Sequence, residues 1–299
     1  MTTAVLATCP WCDAPLAASS ERADGCTRCA TCGTASLDPQ PSPAQLARAY
    51  GEWYRPAAGP RFARGGDALL RRTRGALARR VDVLAPPGRV LDVGAGDGVL
   101  LDALARRGRP AVGVERESRR SDVIDTALED LDPPWAAAVF WHALEHLPAP
   151  GAAIREAARL LTPGGVLVVA VPNAESLQAR AFGARWLHRD PPRHLVHLGT
   201  TGLLRGLERS GFAVERVSHL RGGQVVIGWL DGLVGSLPGD RRLYQALRRP
   251  DARDAPLHAR DRRATLAAAA VLAPIALAAA GIEAALRRGG TVYVEARRV

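Results

Sequence analysis

The sequence predicts an α/β protein in which helices cover both faces of a mostly parallel sheet, behind a small cysteine-rich module. From about residue 65, short apolar strands alternate with amphipathic helices, an order that favours a parallel sheet. All five cysteines lie between Cys9 and Cys32, before this alternating part begins. A chain of 299 residues is long enough for one large domain and one small module.

The chain is strongly basic, with a formal net charge of +10 from 40 basic and 30 acidic residues. Every basic residue is arginine and alanine is abundant, which fits a coding bias toward GC-rich codons. A nucleic-acid partner is therefore less favoured than the charge alone indicates. The N-terminus, MTTAVLATCPWC, lacks a basic region followed by a long apolar stretch, so it does not match a secretory signal. We expect a cytoplasmic protein whose cysteines bind metal rather than form disulfides.

Two C-x-x-C pairs predict a structural zinc site. Cys9 and Cys12 form the first pair, and Cys29 and Cys32 form the second, a spacing that suits four thiolates around one tetrahedral ion. Cys26 offers an alternative, because it overlaps the second pair and can displace Cys32. A segment this short cannot bury enough apolar surface to fold without the metal.

The predicted domain organisation follows from these composition changes. Residues 1–35 form the zinc-ribbon-like module and residues 36–64 form a proline-rich linker. One short helix is expected in the linker, beginning near Ser42 and Pro43. Residues 65–299 form the main domain.

The main domain begins with an arginine-rich helix, GDALLRRTRGALARRVDVL, whose apolar residues recur at helical spacing. The breaker APPG precedes the strand RVLDV, and a glycine-rich turn then leads to a helix that ends at Gly108. The strand AVGVERES ends in an acidic residue. Further on come the apolar run AAAVFW, the helix AAIREAARLL, a turn TPGG and the strand VLVVAVPN.

The glycine-rich turn predicts a ligand site. Gly94, Gly96 and Gly98 let backbone approach a ligand, and we expect amide N–H groups to face it. Asp92 at the strand end would repel a pyrophosphate and attract an ammonium group, while Glu115 can accept hydrogen bonds from ribose hydroxyls. The alternative is a tight strand-to-helix turn with two solvated acids.

In these segments the chain resembles the class I S-adenosylmethionine-dependent methyltransferases. The likeness covers LDVGAGDG, GVERES, WHALEHLPAP, LTPGGVLVVAVPN and RHLVHLGTTGLLRGLERSGFAVERV. The segment RCATCGTASLDPQPSPAQLARAYGEWY is similar to the zinc-knuckle leader that some of these enzymes have. The resemblance implies a Rossmann-like seven-stranded sheet whose last strand is antiparallel, with S-adenosylmethionine at the carboxyl ends of the strands.

The resemblance also implies which residues bind the cofactor: Asp92, Gly94, Ala95, Gly96, Glu115, Leu128, Glu129 and Trp141. The glycine loop would line the methionine portion, Glu115 would hold the ribose, and Leu128 with Glu129 would flank the adenine. The chain departs from the family at Ala127, where an acidic residue is common, and at Trp135-Ala136, where Phe-Asp is usual.

The string WHALEHLPAP contains His142, Glu145 and His146 in the H-x-x-E-H pattern of an inverted zinc peptidase. A peptidase needs this pattern within a long helix, whereas here it follows an apolar strand and Pro148 stops any helix. Two interpretations stay open. The three side chains bind a divalent ion, as in some quinone-type O-methyltransferases, or Glu145 and His146 hydrogen-bond within the loop, which we favour.

Methyl transfer to a hydroxyl, amine or carbon acid requires a base. The candidates are the histidines of this region, namely His142, His146, His188, His194 and His197. His194 is the first choice and His146 the second. The leading hypothesis is a methyltransferase acting on a small or lipid-like acceptor, for example in specialised metabolism. The alternatives are an RNA base methyltransferase with a zinc module and a non-catalytic cofactor-binding or scaffolding protein.

About 70 residues separate the predicted sixth strand, GFAVERV, from the seventh, TVYVEAR. This insertion, about 221–289, contains a long apolar run at 264–282. A single membrane crossing is excluded, because the seventh strand must return to the sheet of the sixth. The insertion is either a packed helical cap over an apolar acceptor pocket, or a homodimer contact, or a segment (223–287) lying flat on the inner membrane face. The last of these uses the flanking arginines Arg260, Arg262, Arg263, Arg287 and Arg288.

Overall fold

The structure is a computed structural model that describes residues 6–16, 21–51, 62, 65–116, 118, 120–221 and 224–299. The strands are β1 Arg22–Ala23, β2 Cys26–Arg28, β3 Ala35–Leu37, β4 Val90–Val93, β5 Ala111–Val114, β6 Val123–Ile124, β7 Trp135–Trp141, β8 Leu161–Pro172, β9 Val196–His197, β10 Phe212–Ser218 and β11 Thr291–Arg298. The helices are α1 Pro43–Ala49, α2 Gly66–Leu84, α3 Val99–Ala105, α4 Pro150–Leu160, α5 Leu177–Phe182, α6 Thr200–Arg209, α7 Val225–Gly235, α8 Leu243–Leu247 and α9 Ala259–Ala285.

A seven-stranded sheet in the order β10-β11-β8-β7-β4-β5-β6 forms the centre of the protein. Strands β4 to β8 pair in parallel, whereas β11 is antiparallel to both of its neighbours. This order confirms the predicted fold class, including the antiparallel last strand. Helix α3 connects β4 with β5, and helix α4 connects β7 with β8, because such parallel neighbours are not joined by tight turns.

The sheet is covered on both faces because its central strands are apolar on both sides. All four residues of β4 are buried, as are the first six of β7. On one face Leu77, Val81 and Leu104 from α2 and α3 pack against the sheet. On the other face, Ile154 and Leu203 from α4 and α6 do so. Two apolar layers of this kind are what a run of continuous hydrophobic strands indicates.

The segment TPGG differs from its predicted structure. It lies within the start of β8 rather than in a separate turn, and Gly164 there has a φ of 72°. The strand bends at this point, which a glycine permits because it has no Cβ. The pairing of β7 with β8 is correspondingly irregular between Trp135 and Ala137.

The cysteine-rich segment is joined to the main sheet region through a second, smaller sheet. This sheet has the order β1-β2-β3-β9, so that Ala35 pairs with His197 and Ser36 pairs with Val196. Trp11 is buried against α6, and its indole Nε1 donates to the Gly202 carbonyl at 2.8 Å. The N-terminal segment is therefore packed on the domain that follows it.

Helices α7, α8 and α9 fill the insertion between β10 and β11 and pack against one another. Among the described residues, α9 is the one helix long and apolar enough to cross a membrane by length and composition. Its ends are nevertheless held to the domain. Arg262 donates to the Ala246 carbonyl at 3.0 Å, and the Glu283 carboxylate accepts from the Gly290 amide at 3.2 Å. The helix therefore lies along the protein and does not leave it.

Candidate functional site

The predicted cofactor residues lie at the edge of the sheet where parallel strands end. Strand β4 leads into the glycine loop, in which Gly94 and Gly96 have φ values of 77° and 56°. A Cβ on Gly94 would lie 2.7 Å from the Cβ of Ala143, in the segment after β7. No side chain fits there, so the loop forms a narrow cradle beside that segment.

One expectation about this loop is wrong. The amides of Gly94 and Ala95 donate to the Val114 carbonyl at 2.8 and 3.3 Å, and the Gly96 amide donates to Oε2 of Glu115 at 3.1 Å. These N–H groups are used within the protein and do not face outward, because the turn folds back on the end of β5. The Glu115 carboxylate is consequently positioned over the loop.

Asp92 and Glu115 give this edge a negative character. Asp92 is only 4% exposed. Burial raises the pKa of Asp92, Arg74 lowers it and Glu115 raises it slightly, and the net pKa is about 7. A buried carboxylate with a raised pKa is stabilised by any cation that arrives beside it. The glycine cradle and the two acids therefore fit a nucleoside ligand with a positive charge.

The remaining predicted cofactor residues follow other strands at the same edge. Leu128 and Glu129 lie in a 3-10 turn after β6, with the Leu128 side chain buried. Their carbonyl oxygens accept hydrogen bonds from Arg159, each at 3.2 Å, which fixes this turn. Trp141 ends β7, and the Arg74 guanidinium lies 4.8 Å from the centre of its ring.

A cluster of histidines surrounds Glu145 directly after β7. The imidazole rings of His146 and His194 meet edge to face with their centres 4.6 Å apart. One potential ligand atom from each of Glu145, His146 and His194 lies within 4.8 Å of the others. The sequence pattern indicated His142 as the third member of this set, whereas the ligand atom that converges with those of Glu145 and His146 comes from His194. His142 adopts a left-handed φ of 52°, and its Nδ1 lies 3.3 Å from Oε1 of Glu145.

Backbone carbonyls lie beside the Nδ1 atoms of two histidines. Nδ1 of His146 lies 3.0 Å from the Arg193 carbonyl, and Nδ1 of His194 lies 2.8 Å from the His188 carbonyl. A carbonyl oxygen only accepts, so Nδ1 of His194 donates to it. Nδ1 of His146 has the Tyr50 hydroxyl at 2.9 Å as well, which can donate to it, so both tautomers of His146 are accommodated. The Nε2 lone pair of a neutral His194 ring is then available, either to take a proton or to bind a metal ion.

Glu145 supplies a buried negative charge to this cluster. Burial raises the pKa of Glu145, but His142, His146 and His194 together lower it to about 2. Among the described residues, its oxygens accept no hydrogen bond of normal geometry. A buried carboxylate in this situation stabilises a positive charge on a neighbouring imidazole, or serves as a ligand for a cation.

The other predicted histidines complete the cluster and are neutral. Burial lowers the pKa of His188 well below its usual value and lowers that of His197 to about 3. Burial also lowers the pKa of His146 to about 4. The rings of His188 and His194 stack with their centres 6.3 Å apart. The five candidate histidines thus belong to one site.

Tyr50 is a site residue that the sequence reasoning missed. Its hydroxyl lies 2.9 Å from Nδ1 of His146, and the Arg116 guanidinium lies 5.4 Å from its ring. Since Arg116 follows Glu115, Tyr50 connects the histidine cluster with the acidic edge. The aromatic string AYGEWY after α1 was the available signal, but it lies in the segment assigned to the linker.

The four predicted thiol ligands lie together in the N-terminal segment. The Sγ atoms of Cys9 and Cys32 are 3.6 Å apart, and those of Cys12 and Cys29 are 3.7 Å apart. These separations match the edge of a tetrahedron with Zn–S bonds of about 2.3 Å. Cys26 is buried outside this group, so Cys32 is the fourth member. The donor set and its dimensions fit a structural zinc ion.

Comparison with protein families matches residues 68–217 to a family described as "Methyltransferase domain". The ubiquinone biosynthesis O-methyltransferase of Xylella fastidiosa (strain M23) is 29% identical over 157 residues, which cover 44% of this chain and 64% of that protein. The corresponding enzyme of Xanthomonas axonopodis pv. citri (strain 306) is 31% identical over 163 residues, covering 46% and 68%. The chain thus spans a little under two thirds of the first of these relatives.

Among solved structures, the [4+2]-cyclase SpnF is similar over 85% of this chain and 94% of its own, with 22% identity and a TM-score of 0.49. An S-adenosylmethionine-dependent methyltransferase from Mesorhizobium loti is similar over 76% and 98%, with 16% identity and a TM-score of 0.42.

Proposed function

Because this chain belongs to the class I S-adenosylmethionine-dependent methyltransferases, we propose that it methylates an oxygen atom of an apolar, lipid-like acceptor. The observation that carries the proposal is the contact between the glycine loop after β4 and the segment after β7, at the carboxyl edge of the large sheet. The cradle of Gly94 touches Ala143, and Ala143 immediately precedes the segment that holds Glu145 and His146. A cationic methyl donor and a group that accepts a proton are therefore next to each other.

S-adenosylmethionine supplies a methyl group on a sulfonium, which an oxygen nucleophile takes by direct displacement as the carbon–sulfur bond breaks. The residues of this chain align the two reactants and accept the proton that the acceptor hydroxyl loses. Asp92 and Glu115 attract the cationic donor, while the glycine cradle allows it to lie close to backbone. The residues after β7 then hold the acceptor side.

His194 is the first candidate for the base and His146 the second. The Nε2 lone pair of His194 is available because its Nδ1 donates to the His188 carbonyl. The Glu145 carboxylate, whose pKa is lowered to about 2, stays negative and stabilises the imidazolium that forms. Glu145, His146 and His194 also fit a divalent cation, which would supply Lewis-acid chemistry.

Two features support an apolar acceptor bearing a hydroxyl. The similar bacterial proteins are named ubiquinone biosynthesis O-methyltransferases. In addition, the insertion between β10 and β11 contains two apolar helices, α7 and α9.

The test uses purified full-length protein, methyl-labelled S-adenosylmethionine and a fractionated lipid extract. We expect label to enter an organic-soluble product as an O-methyl group. His194→Gln should lower kcat by about 100-fold with unchanged cofactor affinity, as expected for loss of a general base. His258→Gln is the matched control, since His258 is exposed at the start of α9. Label confined to water-soluble or RNA fractions, or full activity of His194→Gln, would contradict the proposal.

Chelator treatment followed by addition of magnesium or manganese distinguishes the two uses of the histidine cluster. Activity that returns only with a divalent ion indicates a metal at Glu145, His146 and His194. Activity that is independent of the added ion indicates that a histidine acts as the base without a metal. The zinc content, measured before and after treatment, shows whether the thiol site was left intact.

A further inference from the structure

Helix α9 presents a long apolar face to solvent. Eleven residues on this face are exposed: Ala267, Ala270, Val271, Pro274, Ile275, Leu277, Ala278, Gly281, Ile282, Ala285 and Leu286. Val271 is the most exposed of the large side chains at 76%, and Ile275, Ile282 and Leu286 follow it at helical spacing. We call this set the α9 apolar face. An apolar surface of this extent marks an interaction site.

The opposite face of α9 is the one that packs on the protein. Thr265, Ala269, Ala276, Ala280 and Glu283 are buried there. Ala269 belongs to a small core with Val234 of α7 and Leu243 of α8. Because one side of the helix is already packed, the α9 apolar face is not needed for the fold.

Both ends of the α9 apolar face carry positive charge. Arg260 and Arg263 are exposed at its beginning, and Arg287 and Arg288 are exposed at its end. Asp261 is the exposed acidic residue in this stretch, since Glu283 is buried within the protein. Between Ala264 and Leu286, none of the exposed side chains is charged.

We propose that the α9 apolar face lies in the interface of an anionic lipid bilayer, with the terminal arginines against the headgroups. At 1.5 Å per residue, the stretch from Ala264 to Leu286 is about 35 Å long and would lie parallel to the membrane plane. A second copy of this chain fits less well. Pairing of the two faces, parallel or antiparallel, would bring arginine-rich ends against arginine-rich ends, whereas anionic headgroups complement them.

Vesicle binding tests this proposal without any enzymatic activity. The full-length protein should sediment with vesicles of phosphatidylcholine mixed with phosphatidylglycerol, and much less with phosphatidylcholine alone. The variant Val271→Ser/Ile275→Ser/Ile282→Ser should lose about tenfold in partitioning for each side chain removed. The matched control is Leu69→Ser/Val83→Ser/Val299→Ser, which removes three exposed apolar side chains from other surfaces. It should bind like the unaltered protein.

Thermal unfolding and oligomeric state are measured in parallel. Both variants should unfold like the unaltered protein, because all six side chains are exposed, and the protein should be monomeric without vesicles. Equal vesicle binding by the two triple variants would overturn the proposal. So would a dimer in vesicle-free buffer that only the α9 variant converts to a monomer, because the occupant of the face would then be a second copy.

Discussion

Asp92 is a buried carboxylate whose ionisation lowers the stability of the folded protein. Its pKa is raised to about 7 by burial, with Glu115 adding to the effect. The unfolded chain ionises this group near its ordinary pKa, so folding becomes less favourable as the pH rises from about 4 to 7. The penalty is constant above that range. A positively charged ligand beside Asp92 offsets it.

We therefore expect Asp92→Asn to stabilise the ligand-free protein and to weaken cofactor binding. The gain should be up to about 4 kcal/mol at pH 8 and smaller at pH 5, since less of the ionisation penalty is present there. Thermal unfolding at the two pH values and calorimetric titration with S-adenosylmethionine measure both effects. A variant that is destabilised equally at both pH values would contradict this account of Asp92.

Among the residues of the candidate site, local motifs were predictable from the sequence, whereas contacts between distant residues were not. Asp92, Gly94 and Glu115 could be chosen from sequence because Asp92 is the second-last residue of β4, and Gly94 and Glu115 directly follow β4 and β5. The position of Tyr50 against His146 could not, because 96 residues separate them and no local pattern links them. The approach of His194 to Glu145 and His146 could not be predicted for the same reason, since the chain from β8 to β9 has to fold back first.

Among the helices, α6 is shaped to receive the N-terminal segment. Gly206 has no side chain, and a Cβ at this position would lie 2.2 Å from the Trp11 indole. We expect Gly206→Ala to destabilise the protein by about 1–3 kcal/mol, because Trp11 would have to move out of its buried position. Gly75→Ala is the control, since Gly75 lies in α2 with open space around it. It should be neutral or stabilising by up to about 1 kcal/mol. Chemical denaturation of the two variants decides between these outcomes.

Glu283 connects α9 with three other parts of the structure. Its carboxylate accepts from the Gln178 amide N–H at 2.9 Å, from Nε1 of Trp229 at 2.8 Å and from the Gly290 amide at 3.2 Å. Glu283→Ala should cost about 3–5 kcal/mol, because these buried donors would lose their acceptor. Glu208→Ala, at an exposed position of α6, should change stability little. Similar denaturation midpoints for both variants would show that water replaces the carboxylate.

For the whole molecule, the thiol cluster and the main domain should respond together to metal removal. Strand β3 follows the cysteines and pairs with β9, which contains His197. We expect Cys32→Ser, or zinc removal by a strong chelator, to lower the melting temperature and also the methyltransferase activity. Released zinc, measured with a chromogenic chelator, should be about one ion per chain. Cys26→Ser should retain the metal, because Cys26 lies outside the thiol cluster.

The order of the large sheet was predictable, whereas the small sheet was not. Alternation of strands and helices indicates parallel pairing of neighbours along the chain, and the resemblance to a known family implies the antiparallel last strand. The pairing of Ala35 with His197 joins residues that are distant in sequence, and strands of two or three residues give no periodic signal. Local sequence patterns also do not predict the packing of Trp11 on α6, because the two are distant along the chain.

Strands β10 and β11 are direct neighbours, and Ser218 at the end of one pairs with Tyr293 near the start of the other. The insertion therefore connects two strands that pair as in a single β-hairpin. The order of the sheet therefore does not depend on the length of the connection, and a shorter turn between Ser218 and Tyr293 would preserve the same strand pairing.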